Sequence, residues 1–120
     1  MSEYSLYKVE LPKPYLMLKL QSRGYLKEWF IPEYKELDFR NYKRIAFESP
    51  APGYEAEGIF QGPMEKFDAG KFELRSDTKF KIEFRIESTV RSNGLHGNYV
   101  IMVPSWGRKT LRRTWVLIPA

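Results

Sequence analysis

From Lys79 to Glu87, in KFKIEFRIE, apolar and charged residues alternate without a break. Phe80, Ile82, Phe84 and Ile86 share one side, and Lys79, Lys81, Glu83, Arg85 and Glu87 share the other. A two-residue period of this kind predicts a half-buried antiparallel strand with one wet face. The stretch PYLMLKLQSRGYLKEWFIP, Pro14 to Pro32, alternates around Ser22-Arg23-Gly24, which predicts two strands joined by a turn. In its first half Leu16, Leu18 and Leu20 face one way, and Tyr15, Met17, Lys19 and Gln21 the other. GNYVIMVP and TWVLIP are apolar and predict two more strands, while YSLYKVEL, KRIAFE (43–48) and KFEL (71–74) are weaker candidates. Turn residues separate them at Ser49 to Gly53, Asp68-Ala69-Gly70 and Ser92-Asn93-Gly94.

No segment sustains a 3.6-residue apolar period, and the best candidate for a helical turn is PEYKELDFRNY, Pro32 to Tyr42. Six to eight short strands with frequent turns predict an all-β fold with at most one short helix. A small antiparallel β-barrel, closed or partly open, suits so short a chain, because closure removes exposed sheet edges. The 120 residues fit one domain, 1–120, with little room for a second core.

Composition narrows the chemistry. The chain is 42% hydrophobic and 16% aromatic, enough apolar surface for a folded core. No apolar run approaches the roughly 20 residues that span a bilayer, and the start lacks an apolar segment of signal-peptide type. A cytoplasmic protein with no membrane partner is the expectation. Cysteine is absent, which excludes disulfides and thiolate metal sites. His96, in NGLHGNY, is the single histidine, so a histidine cluster for zinc or manganese is excluded. A Ser-His-Asp triad would have that one base alone, and its place between a turn and a strand points to an exposed polar side chain. Phosphate-binding and dinucleotide-binding glycine motifs are absent. Glu55 and Glu57, in GYEAEG, are a close acid pair that could meet a hard cation, although loop glutamates are usually just solvated.

The net charge of +5 is concentrated. SWGRKTLRRT, Ser105 to Thr114, carries Arg108, Lys109, Arg112 and Arg113 and no acid, leaving residues 1–104 at +1. Such a segment attracts polyanions, nucleic acid included, and otherwise serves as a solvated hairpin loop. Tyr25, Lys27 and Trp29 alternate on one strand face, which suits either base stacking with phosphate contacts or ordinary strand core.

Taken in order, these pieces resemble the phosphoesterase module of bacterial and archaeal DNA ligase D, the 3′-end-healing domain, from about Tyr15 to the C-terminus. That family's first strand pair reads His, Trp or Tyr, Asp-Leu-Arg-Leu-Glu, two residues, Gly, then Leu, Ser-Trp and Pro. Here Leu18, Leu20, Gly24, Leu26, Trp29 and Pro32 fall in register with it. Its His-Pro and Phe-Glu-Gly resemble ESPAPGYEAEG through Pro50, Glu57 and Gly58, and its Trp-Asp-x-Gly-x-Tyr resembles FDAGKF through Asp68 and Gly70. LHGNYVIMV, the basic segment and WVLIPA are similar to its end. The resemblance implies a small β-barrel whose concave face binds a DNA or RNA primer terminus. It also implies manganese-dependent removal of 3′-terminal ribonucleosides and 3′-phosphates during end joining.

The departures fall on the chemistry. Tyr15 stands at the family's metal-binding histidine, Met17 at its aspartate, Lys19 at its arginine and Gln21 at its glutamate. Ser49 stands at its second-loop histidine, and YKVELPKP has no counterpart of its upstream histidine. A thioether is a poor ligand for a hard cation, and a phenol is a weak ligand and a weak base near neutrality. Without a metal, phosphate-ester cleavage lacks its electrophile and its activated water. Lys19 can still hold a phosphate as a point charge, less well than a bidentate arginine.

The resemblance therefore implies a non-catalytic relative, without the family's manganese and with no cofactor expected. It would bind DNA or RNA 3′ ends or assist a DNA ligase or polymerase of end joining. Tyr15, Met17, Lys19, Gln21 and Ser49 mark the former active site, and Lys19, Lys27, Arg108, Lys109, Arg112 and Arg113 are the expected nucleic-acid contacts. Two alternatives stand beside it: a protein-interaction module with no nucleic-acid role, and a surviving 3′-end phosphoesterase with an altered site.

Overall fold

The computed structural model describes residues 2–11, 15–32, 43–48, 61–89, 95–106 and 114–120. Among the described residues eight strands make up the sheet: β1 (Glu3–Leu11), β2 (Tyr15–Ser22), β3 (Tyr25–Pro32), β4 (Arg44–Glu48), β5 (Gln61–Thr78), β6 (Lys81–Thr89), β7 (Gly97–Met102) and β8 (Thr114–Pro119). Each runs antiparallel to its neighbours, and the order β1-β2-β3-β4-β8-β7-β6-β5 closes back on β1 as a barrel. The expected all-β antiparallel barrel is what the chain forms, and no α-helix occurs among the described residues. Of the helical candidate Pro32 to Tyr42, Pro32 ends β3 and the rest lies outside the described residues, as do the turns at 49–53 and 92–94 and Glu55 and Glu57.

The β2–β3 hairpin shows how local chemistry sets the register. Arg23 and Gly24 form its two-residue loop, and Gly24 takes a φ of 73°, a left-handed value that glycine adopts without a Cβ clash. From the closing pair Ser22↔Tyr25 the ladder then runs Leu20↔Lys27, Lys19↔Glu28, Leu18↔Trp29, Met17↔Phe30. Leu16, Leu18 and Leu20 enter the core as the alternation predicts. They meet Tyr4 and Leu6 of β1, Trp29 and Ile31 of β3, Ile82, Phe84 and Ile86 of β6, and Trp115 and Leu117 of β8. Trp29 and Trp115 pack edge to face with centroids 5.7 Å apart and planes at 74°. Large side chains fill the interior, as the diameter of an eight-stranded barrel allows.

The structure corrects the expectations at both ends of the β5 region. Asp68-Ala69-Gly70 is not a turn but part of β5, an 18-residue strand that absorbs the short candidate at 71–74. Its first part pairs with β1 and its second with β6, with register shifts on both ladders, so one strand bends to serve two neighbours. Asp68 stays in the strand because its carboxylate is buried and accepts the Tyr4 hydroxyl at 3.0 Å, instead of capping a local turn. Lastly, Lys79 and Phe80 form the β5–β6 turn rather than the start of β6, with Thr78 Oγ1 donating to the Lys81 carbonyl at 3.0 Å.

Candidate functional site

Tyr15, Met17, Lys19 and Gln21, the β2 positions that the resemblance sets against the ligase D module's metal site, share the outer wall of β2, opposite the leucines. Tyr15 and Lys19 are half-buried, Gln21 is exposed, and Met17 is buried. Met17 and Phe30 form a second apolar cluster, separate from the barrel core, against which Tyr7 and Tyr15 pack. One row of cross-strand partners crosses this wall: Lys66 of β5, Tyr7 of β1, Met17, Phe30, Phe47 of β4 and Thr114 of β8. At strand spacings near 4.8 Å the row extends on the order of 20 Å around the barrel. At one end the Lys66 ammonium lies 5.7 Å from the Tyr7 ring centroid. The other end is Thr114, the residue after the segment that carries Arg108, Lys109, Arg112 and Arg113. In the adjacent row Lys19 pairs across with Ser5 and with Glu28, which is buried.

Two expected contacts lie elsewhere. Tyr25, Lys27 and Trp29 form the inner face of β3, so the stacking reading of that face is corrected: Trp29 has no exposed surface, and Tyr25 packs against the core. Lys27 Nζ is 4.0 Å from Glu48 Oε1, and the other carboxylate oxygen accepts Trp115 Nε1–H at 3.3 Å. Lys27 thus points to the interior side, apart from Lys19 on the outer wall. Ser49, Arg108, Lys109, Arg112 and Arg113 lie outside the described residues. Their flanks are described: β4 ends at Glu48 beside the start of β8, with Phe47 paired to Thr114.

Inside the barrel, the Tyr4 hydroxyl accepts the Leu95 N–H at 3.1 Å while donating to Asp68. Burial drives the Tyr4 phenol far above its ordinary value of 10.0, the Leu95 hydrogen bond opposes this, and the Asp68 charge adds to it. Burial also raises the Tyr25 phenol, with a contribution from Asp77. His96 is exposed, and its backbone N–H donates to the Tyr99 hydroxyl at 3.1 Å. Among the described residues no three His, Asp or Glu side chains stand close enough to hold a metal ion.

Tyr7, Phe30, Phe47 and Lys66 were not singled out by sequence reasoning. The Met17–Phe30 pair follows from the position of the Arg23-Gly24 turn, but Tyr7, Phe47 and Lys66 join only through ladders between strands distant in sequence. No protein-family model matches the chain, and no curated protein matches it. No helix among the described residues is long and apolar enough to cross a membrane.

Proposed function

We propose that the protein is a non-catalytic nucleic-acid-binding barrel, a degenerate relative of the ligase D phosphoesterase module that holds polynucleotide 3′ ends as an accessory in end joining. The outer-wall row carries this reading. It joins Tyr7, with Tyr15 packed beside it and Lys19 in the next row, to Lys66 at one end and to Thr114, which follows Arg113 in the chain, at the other. Phenol rings stack on unpaired bases, and ammonium and guanidinium groups neutralise phosphates, a pairing that tolerates any base sequence. Hydrolysis is a different matter, because Tyr15, Met17 and Ser49 offer a manganese ion no imidazole or carboxylate.

The test is a salt-titrated binding assay with a duplex bearing a recessed 3′ end and with single-stranded DNA. Affinity is expected to fall steeply as salt rises. Lys19→Ala should weaken binding several-fold and lower the log–log salt slope by about one. No binding at low salt overturns the reading. Phosphate release from a 3′-phosphorylated primer-template with manganese would instead establish a surviving enzyme.

A further inference from the structure

β5 outruns its neighbour β1, with 18 residues against 9. The β1 ladder ends at Glu3↔Lys71, and the Phe72 N–H still donates to the Ser2 carbonyl at 3.3 Å. From there β5 continues to Thr78, paired among the described residues with β6 alone. The barrel wall therefore carries an open strand edge over 73–78, in line with β1 and just past its start. Glu73, Leu74, Arg75, Asp77 and Thr78 are all exposed along it.

The register shows which backbone groups face outward. In an antiparallel ladder successive residues turn their N–H and C=O alternately toward one neighbour and the other. Phe72 turns its N–H to β1, so Leu74 also faces away from β6. Arg75 is then the extra residue of a bulge, because the register passes from Leu74↔Phe84 to Ser76↔Glu83. Asp77 lies opposite Ile82, the alternate β6 residue from Phe84, and so faces outward as Leu74 does. The bulge thus sets the outward peptide groups of Leu74 and Asp77 at the spacing of alternate residues in a regular strand. Side chains on this edge narrow what fits it. Leu74 is 40% exposed, and Glu73 and Arg75 pair with each other at 3.0 Å. Asp77 has no cation partner among the described residues, and its charge helps to raise the phenol of Tyr25 in the β2–β3 hairpin.

We propose that this edge takes an extended segment of a partner protein as an added strand, antiparallel to β5 and collinear with β1, with Lys or Arg opposite Asp77 and, two residues on, an apolar side chain opposite Leu74. The direction continues the pairing that β1 already makes with β5. Main-chain hydrogen bonds to Leu74 and Asp77 supply affinity, and the two side chains supply selectivity. The bulge and the Glu73–Arg75 pair disfavour indiscriminate edge-to-edge contact, yet leave these two peptide groups accessible. This surface is separate from the Tyr7–Met17–Phe30 wall and does not depend on nucleic-acid binding there.

The experiment titrates the full chain into a short fluorescein-labelled peptide of alternating Thr and Val that carries one Lys and, two residues later, one Leu. Saturable binding is expected. The same peptide with N-methyl groups on the Lys and Leu nitrogens keeps its side chains but loses the donors that meet the edge, and should bind about tenfold more weakly. Leu74→Pro removes an N–H that the β6 ladder does not use and should also weaken binding about tenfold. Asp77→Lys should weaken it several-fold and reverse the preference, so that a peptide with Glu in place of Lys binds better. Both positions are exposed, and circular dichroism and melting temperature verify that the variants are folded. Should Leu74→Pro unfold, the N-methylated peptide and the Asp77 charge reversal decide the matter. Absence of binding overturns the proposal, as does equal binding of the N-methylated peptide or indifference to Asp77→Lys. Self-association of the chain that is lost in Asp77→Lys, with no peptide effect, would overturn it in favour of a second copy at this edge.

Discussion

The Tyr4 hydroxyl donates to Asp68 Oδ2 at 3.0 Å and accepts the Leu95 N–H at 3.1 Å, so one side chain ties β1 to β5 and to the residues entering β7. All three residues are buried. Removing the hydroxyl costs both hydrogen bonds and leaves the Leu95 donor without its acceptor in a region water does not reach. Tyr4→Phe is therefore expected to lower stability by about 1–3 kcal/mol, read as a shift of the urea midpoint at constant slope. Asp68→Asn keeps an acceptor for the phenol and should cost less. An unchanged midpoint in Tyr4→Phe would show that this junction adds nothing to stability.

Alkaline pH probes the same phenol from another direction. An unfolded tyrosine loses its proton near pH 10.0, whereas burial holds the proton on native Tyr4 well beyond that. Below pH 10 both states keep the proton and the contribution is constant. Above it the native state binds more protons than the unfolded one, so stability falls as pH rises. For Tyr4 the slope is about 1.4 kcal/mol per pH unit, and the raised Tyr25 phenol steepens it. Urea midpoints measured at rising pH should show a decline beginning near pH 10, shallower in Tyr4→Phe. Equal slopes in the two proteins would contradict the assignment.

Much of the barrel is legible in short-range pattern, because side-chain alternation and turn chemistry act locally. The leucines of β2, the strict alternation of β6 and the apolar β7 and β8 all appear as the sequence implies. β5 was hidden, since Asp68-Ala69-Gly70 carries turn residues. What holds it extended is Tyr4, 64 positions away, with the β1 and β6 ladders on either side. The outer-wall row was hidden for the same reason: Tyr7, Phe47 and Lys66 reach Met17 and Phe30 only once β1–β5 and β3–β4 pair. The apolar outer face of β8 did leave a trace. TWVLIP is continuously apolar where a half-exposed strand would alternate, so apolar side chains fall on both of its faces.

Gly24 is where the β2–β3 register is set. Nothing lies within 4 Å of a Cβ built there, so substitution meets no steric obstacle beyond its own backbone. Gly24→Ala still forces an L side chain to a φ of 73°, at a cost of about 1–2 kcal/mol. Gly24→Asn, which tolerates the left-handed region better, should recover part of that. Thermal melts of the two variants provide the comparison, and an Ala variant as stable as the parent would mean that the turn relaxes at no cost.

Met17 decides between an open cleft of the kind the resemblance implies and a packed wall. Its exposure is 1%, Phe30 beside it is 4% exposed, and Tyr7 and Tyr15 close around them. In an open cleft, Met17→Asp would introduce a carboxylate at little cost, and with Tyr15→His it would begin to build a manganese site. In the packed wall the same change places a charge among rings, where it must be desolvated or protonated. The expected outcome is a loss of about 2–4 kcal/mol for Met17→Asp. Manganese should leave the melting temperature of the parent and of Tyr15→His/Met17→Asp unchanged, because ligand binding raises that temperature only through a site the folded state presents. Met17→Leu, which preserves volume and apolarity, should cost less than about 1.5 kcal/mol. A manganese-dependent rise in the double variant would mean that the wall opens readily enough to be a cleft, and the outer face of β2 would then retain the geometry of an enzyme's site.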